Sequence, residues 1–253
     1  MKKFIAVSLV VTMLGSLACA CSKDTETPDV PATSAPVATE APVATEAPSK
    51  DVELTEEDKS DYQLDGTVLV AYLGKAKDVT IPNNITSIAD RAFQGCTKLE
   101  VVKIPDTVVS IGNYAFEGCT ALTTINVPKF VETIGERAFA NCTALTSAEL
   151  PPKASVMGEG VFYGCDKLDK VKLSTSLVLL PDNTFYGCEA LKSISLSASV
   201  TEIGVSAFEG CKELETLTVA KGTTTIHENA FKDCEKLKDI NLPTTVNQIA
   251  KGA

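Results

Sequence analysis

Seven cysteines recur at a fixed step of 23 residues: Cys96, Cys119, Cys142, Cys165, Cys188, Cys211 and Cys234. Cysteine can form disulfides, ligate metal or act as a nucleophile. The spacing speaks against all three. Side chains stacked in register point the same way, which is poor disulfide geometry, and seven is an odd number. A step of 23 matches no metal-ligand spacing, so neither a metal site nor a cofactor is assigned. A buried free cysteine behaves as a small hydrophobe, and that is the role the spacing predicts. His227 is the only histidine, and it stands where most repeats have glycine, a position read as an exposed turn. Nucleophilic catalysis needs a base beside a nucleophile and an orienting acid, and the sequence supplies no such set. It has no phosphate loop and no zinc motif. No catalytic residue is assigned, and the chain is read as a non-enzyme.

The remaining chemistry is recognition. One polar column at the same period includes Lys103, Asn126, Glu149 and Lys172, and Lys170 stands in the neighbouring column. These positions vary while the apolar ones barely change. A binding face has that signature, and so does a solvated face free to drift. Adjacent rungs never carry like charges, as avoidance of repulsion along a sheet requires. The face lacks the aromatic residues of tight interfaces.

The elements that position these residues follow from the period. Seven phenylalanines, from Phe93 to Phe231, keep the step of the cysteines. A period in this range marks a solenoid, in which each repeat forms one coil stacked on the next. In Leu122-x-x-Ile125-x-Val127 the apolar residues alternate with Thr124 and Asn126, which predicts a short strand with one face buried. Proline closes that strand at Pro82, Pro105, Pro128, Pro151 and Pro243. Ala138, Phe139 and Cys142 fall on one face of a predicted helical turn. The residue before each repeat cysteine is glycine, asparagine or aspartate, types that tolerate the left-handed backbone at a helix end. Asp90, Asn113 and Glu136 precede the turn as helix N-termini prefer. The expected fold is an α/β solenoid with 23-residue coils, a parallel sheet on one face and short helical turns on the other. Seven repeats occupy residues 93–253. Residues 51–92 are expected to form an N-terminal cap and a first partial repeat, with a hairpin turning at Asp65-Gly66. The sequence stops one residue before the next phenylalanine of the period, so the repeat array is read as truncated at its C-terminus.

The front of the chain differs. Lys2 and Lys3 precede an apolar stretch over residues 4–17, too short for a comfortable membrane span. Residues 22–50 form a linker rich in Pro, Ala, Thr and Glu, which bury too little apolar area to offset chain entropy. The formal net charge is −10 with Lys2 and Lys3 included. Such acidity argues against nucleic acid and against anionic membrane surfaces as partners.

Two resemblances complete the reading. Ser16-Leu17-Ala18-Cys19-Ala20-Cys21 resembles a bacterial lipoprotein signal over residues 1–21, which implies lipidation of Cys21 (or Cys19) and export to the cell surface. Polar Ser22, Lys23 and Asp24 favour Cys21. Residues 62–253 resemble the BspA-like leucine-rich-repeat family. The shared signature reads here as Ile104-Pro105, Val108, Ile111-Gly112, Ala115-Phe116, Gly118-Cys119 and Leu122, and it recurs through seven periods. The sequence departs from it at Ser174, Ser197 and Ala220 in place of proline, and at Pro181 and His227 in place of glycine. The resemblance implies an adhesin or interaction protein binding a protein partner, either host extracellular matrix or another surface protein. The alternative is a structural spacer that presents a further C-terminal domain.

Overall fold

The computed structural model describes residues 61–238 and 240–253. Cys19, Cys21, the signal segment and the linker lie outside the described residues. The described chain is a succession of short strands and turns, repeated coil after coil. Strands of three residues recur once per coil and pair in three groups along one face: Asp78–Thr80 with Val101–Lys103; Thr124–Asn126, Ser147–Glu149 and Lys170–Lys172; and Ser193–Ser195 with Thr216–Thr218. All their pairings are parallel, and Thr218 bridges to Asn241 beyond the last strand. In each strand the middle residue points inward and the outer two face solvent, as strand alternation dictates.

A second parallel ladder runs from Ser87–Ile88 to Gln248–Ile249 in two-residue strands. Two residues do not make a period, so alternation along the sequence does not announce this ladder. The residue after each of these strands donates its N–H to the coil before: Gly112 to Ile88, Gly135 to Ile111 and Gly158 to Ile134, at 2.8–2.9 Å. Pro181 has no N–H to give. The ladder is interrupted there, between Val156–Met157 and Leu179–Leu180, and resumes with Leu179–Leu180 paired to Glu202–Ile203.

The expected helical turns are absent: no helix occurs among the described residues. Seven left-handed residues do stand where expected, at Gly95, Gly118, Asn141, Gly164, Gly187, Gly210 and Asp233. A second left-handed residue lies four positions earlier in each turn, including Arg91, Tyr114, Arg137, Gly160 and Ser206. A right-handed helix cannot pass through either position. The amides show what replaces it. Arg91, Phe93 and Gly95 donate to the carbonyls of Asn113, Ala115 and Glu117 in the next coil, at 2.7–2.9 Å. The intervening Gln94 and Cys96 close local turns on Arg91 and Phe93. Alternate amides therefore bond within the coil and between coils, whereas a helix would use all of them internally. The acidic and amide residues before the turn do not cap helices. Asp90 Oδ1 accepts the Asn113 N–H at 2.7 Å, and Asn113 Oδ1 accepts that of Glu136 at 2.8 Å.

The core is a set of columns. Phe93, Phe116, Phe139, Phe162, Phe185, Phe208 and Phe231 stack with centroids 4.8–5.8 Å apart. The first six are fully buried. At the N-terminal end the antiparallel hairpin Tyr62–Asp65 and Val68–Tyr72 pairs in parallel with Ser87–Ile88. Tyr72 continues the phenylalanine stack at 5.2 Å and Tyr62 extends it at 5.5 Å. Their hydroxyls find partners that phenylalanine could not: Tyr62 donates to the Thr80 carbonyl, and the Ala76 N–H donates to Tyr72 Oη.

Candidate interaction surface

The seven repeat cysteines are free. Six thiols donate to the phenylalanine carbonyl of the coil before, at 3.1–3.2 Å, from Cys119 on Phe93 to Cys234 on Phe208. Burial pushes these thiols up, that of Cys165 to about 12. A thiol so protonated is neither nucleophile nor metal ligand. No group of three or more histidine, cysteine or carboxylate residues among the described residues could hold a metal ion. His227 is half-exposed, and its Nε2 lies 2.8 Å from Glu202 Oε2. No nucleophile among the described residues bonds to that pair.

The polar strand face is where the sequence places it. Lys103, Asn126, Glu149, Lys170 and Lys172 are all exposed. The parallel register sets Asn126 beside Glu149 and Glu149 beside Lys172. Lys172 Nζ lies 2.5 Å from Glu149 Oε1. Both side chains are more than half exposed, so the pair contributes about 0–1 kcal/mol to stability and leaves its charges open to a partner. A shallow depression of about 320 Å³ is lined by Thr124, Asn126, Ser147, Ala148, Glu149 and Lys172. Three of the five predicted residues thus share one feature. Lys170 pairs with Ser147 at its side. Lys103 stands apart: it pairs with Thr80, and the ladder is interrupted between its strand and Thr124–Asn126.

Sequence reasoning missed the depression. Its one signal was Ala148, the smallest residue in an inward column otherwise filled by Val79, Val102, Ile125, Val171, Ile194 and Leu217. A second cavity, of about 310 Å³, lies beside the hairpin and is lined by Tyr72, Lys75, Cys96 and Lys98 among others. It had no sequence signal, since it forms where the periodic pattern meets the non-periodic one.

Known proteins share this architecture. The leucine-rich-repeat protein TpLRR of T. pallidum is 30% identical and superposes with a TM-score of 0.68, over 71% of this chain and 89% of that one. A leucine-rich-repeat protein from Bacteroides ovatus is 31% identical with a TM-score of 0.65, over 71% of this chain and 46% of its own length. The chain therefore spans less than half of that relative. A leucine-rich-repeat protein from Eubacterium ventriosum, 22% identical with a TM-score of 0.59, shares the fold. No curated protein sequence matches the chain. The profile of the BspA type leucine rich repeat region matches residues 71–189 and 157–253 in six copies. With most of the described coils matched in this way, the chain belongs to the BspA-type leucine-rich-repeat family.

Proposed function

We propose that this protein is exported, anchored by a lipid on Cys21 (or Cys19), and displayed at the bacterial cell surface as an adhesin that binds a protein partner through its solenoid. Host extracellular matrix and other surface proteins are the partner classes. The observation that supports this reading most is the depression in which Asn126, Glu149 and Lys172 stand together on the solvent-facing strand ladder. A rigid sheet holds these groups at fixed spacing, so little ordering cost falls on binding. Lys170 and Lys103 extend the polar face on either side. The ion pair is weak, and many copies on one cell would raise the effective strength of such a surface by avidity. The lipid is the only contact with the membrane in this reading, and neither nucleic acid nor a cofactor takes part.

The test is binding of the full chain to immobilised matrix proteins, measured by surface plasmon resonance with and without Lys172→Glu and Glu149→Lys. Each charge reversal should weaken binding about tenfold, as loss of a central interface residue does. Unchanged binding in both variants would remove the strand face as the contact surface.

A further inference from the structure

Both arginines of the chain and three of its five tyrosines meet on the turn face, away from the strand ladders. The guanidinium carbon of Arg91 lies 5.1 Å from the centroid of the Tyr114 ring. That of Arg137 lies 4.5 Å from the Tyr163 ring. Tyr163 and Tyr186 stack at 4.7 Å with planes 3° apart. Tyr114 Oη donates to Glu136 Oε1 at 2.5 Å. The result is two groups, Arg91 with Tyr114 and Arg137 with Tyr163 and Tyr186, spread over five successive coils, about 20 Å at the usual strand spacing.

Tyrosine and arginine are the residues in which interface binding energy concentrates. Here they are ordered in advance, because each ring is held by a neighbour one coil away, and rigid aromatic anchors lose little entropy on docking. The stacking also says what kind of partner fits. Arg137 comes from the coil before Tyr163 and Tyr186 from the coil after, so both faces of the Tyr163 ring are covered. A sugar or nucleobase would need a bare ring face, and the Tyr163 ring at the centre of the group offers none. Ring edges, hydroxyls and carboxylates remain. Arg91 and Arg137 lie over rings, while Glu117, Glu136 and the exposed Glu159 line the same turns. This surface offers acceptors to ammonium and guanidinium groups.

We propose that the turn face from Arg91 to Tyr186 is a docking surface for a cationic polypeptide segment, whose lysine and arginine side chains seat between the tyrosine hydroxyls and the carboxylates of Glu136 and Glu159. The surface is separate from the strand face and does not depend on it.

The experiment titrates the full chain into a labelled extended peptide of alternating lysine and serine, about eight residues long and so spanning roughly 25 Å, and follows fluorescence anisotropy. Glu136→Gln with Glu159→Gln removes charge while leaving an acceptor for the Tyr114 hydroxyl. Tyr163→Phe with Tyr186→Phe keeps the stack and removes two hydroxyls. Glu132→Gln with Glu235→Gln makes the same charge change elsewhere. Binding should weaken about tenfold in the glutamate pair on the turn face and about threefold in the phenylalanine pair, and stay within about twofold in the control pair. Melting curves establish that all variants remain folded. No binding at low ionic strength would overturn the proposal. So would equal weakening in the control pair, which would mean that the peptide reads only the net charge of the chain.

Discussion

The thiol of Cys165 gives its hydrogen to the Phe139 carbonyl one coil away, and five other cysteines do the same. A small apolar residue could fill the site, but the thiol fills it as a small hydrophobe and also gives that carbonyl a donor. Burial pushes the Cys165 thiol to about 12, while an unfolded thiol titrates near 8.5. The sign follows: between those limits the unfolded chain releases the proton and the folded chain keeps it. The thiols' contribution to stability is therefore constant below about pH 8.5 and falls above it, by up to about 1.4 kcal/mol per pH unit for each such thiol. Urea midpoints should drop steeply from about pH 8.5 upward, and Cys165→Ala should make the drop shallower. A midpoint indifferent to pH over that range would mean the thiols are not desolvated as the structure has them.

Two glycine slots in each coil obey different rules. At Gly135 a Cβ would lie 2.5 Å from the Asn113 backbone nitrogen, and at Gly158 2.4 Å from that of Glu136. At these two positions the coils approach too closely for a side chain, whereas Pro181 and His227 occupy the same slot in later coils. Gly135→Ala should cost about 1–3 kcal/mol as neighbouring coils are forced apart, read from thermal or urea unfolding. At Gly118 the demand is a positive φ, not space: the nearest atom to a Cβ would be 3.8 Å away, and Asn141 occupies the same slot one coil later. Gly118→Asn should therefore stay within about 1 kcal/mol of the parent. The two kinds of slot also explain what sequence could show. The left-handed residue before each cysteine was legible because glycine, asparagine and aspartate announce it. The one four residues earlier was not, since Arg91, Tyr114, Arg137 and Ser206 are types that do not favour it. Without that second residue, apolar spacing in the turn reads as a helix. The three-residue ladder was legible from its alternation, and so were the residues on its outer face. Their gathering around a depression was not, because it depends on register between coils and on one small residue, Ala148.

Across the whole molecule each coil touches only its neighbours, so stability is close to a sum of coil terms and interface terms. Removing one full period, such as residues 120–142, joins Cys119 to Thr143 in phase. That shortened chain should fold with an unchanged circular dichroism band shape and a smaller denaturant slope. Removing about half a period should abolish cooperative unfolding, because every column would lose its phase. If both deletions behave alike, the columns do not set the fold. The hydrogen bonds between coils also have a direction. On the turn face the N-terminal coil of each pair donates, as Phe93 does to Ala115, while at the glycine slot the C-terminal coil donates, as Gly112 does to Ile88. A section through the stack thus exposes two surfaces that fit each other but not themselves. Turned against its own copy with turn face on turn face, either would set N–H against N–H. The solenoid is a vector: coils can be duplicated, grafted or exchanged only in one reading direction, and chains meeting at such sections would polymerise head to tail, not close into pairs. The hairpin Tyr62–Asp65 and Val68–Tyr72, running antiparallel on the first coil, occupies one of those surfaces and blocks growth from that side.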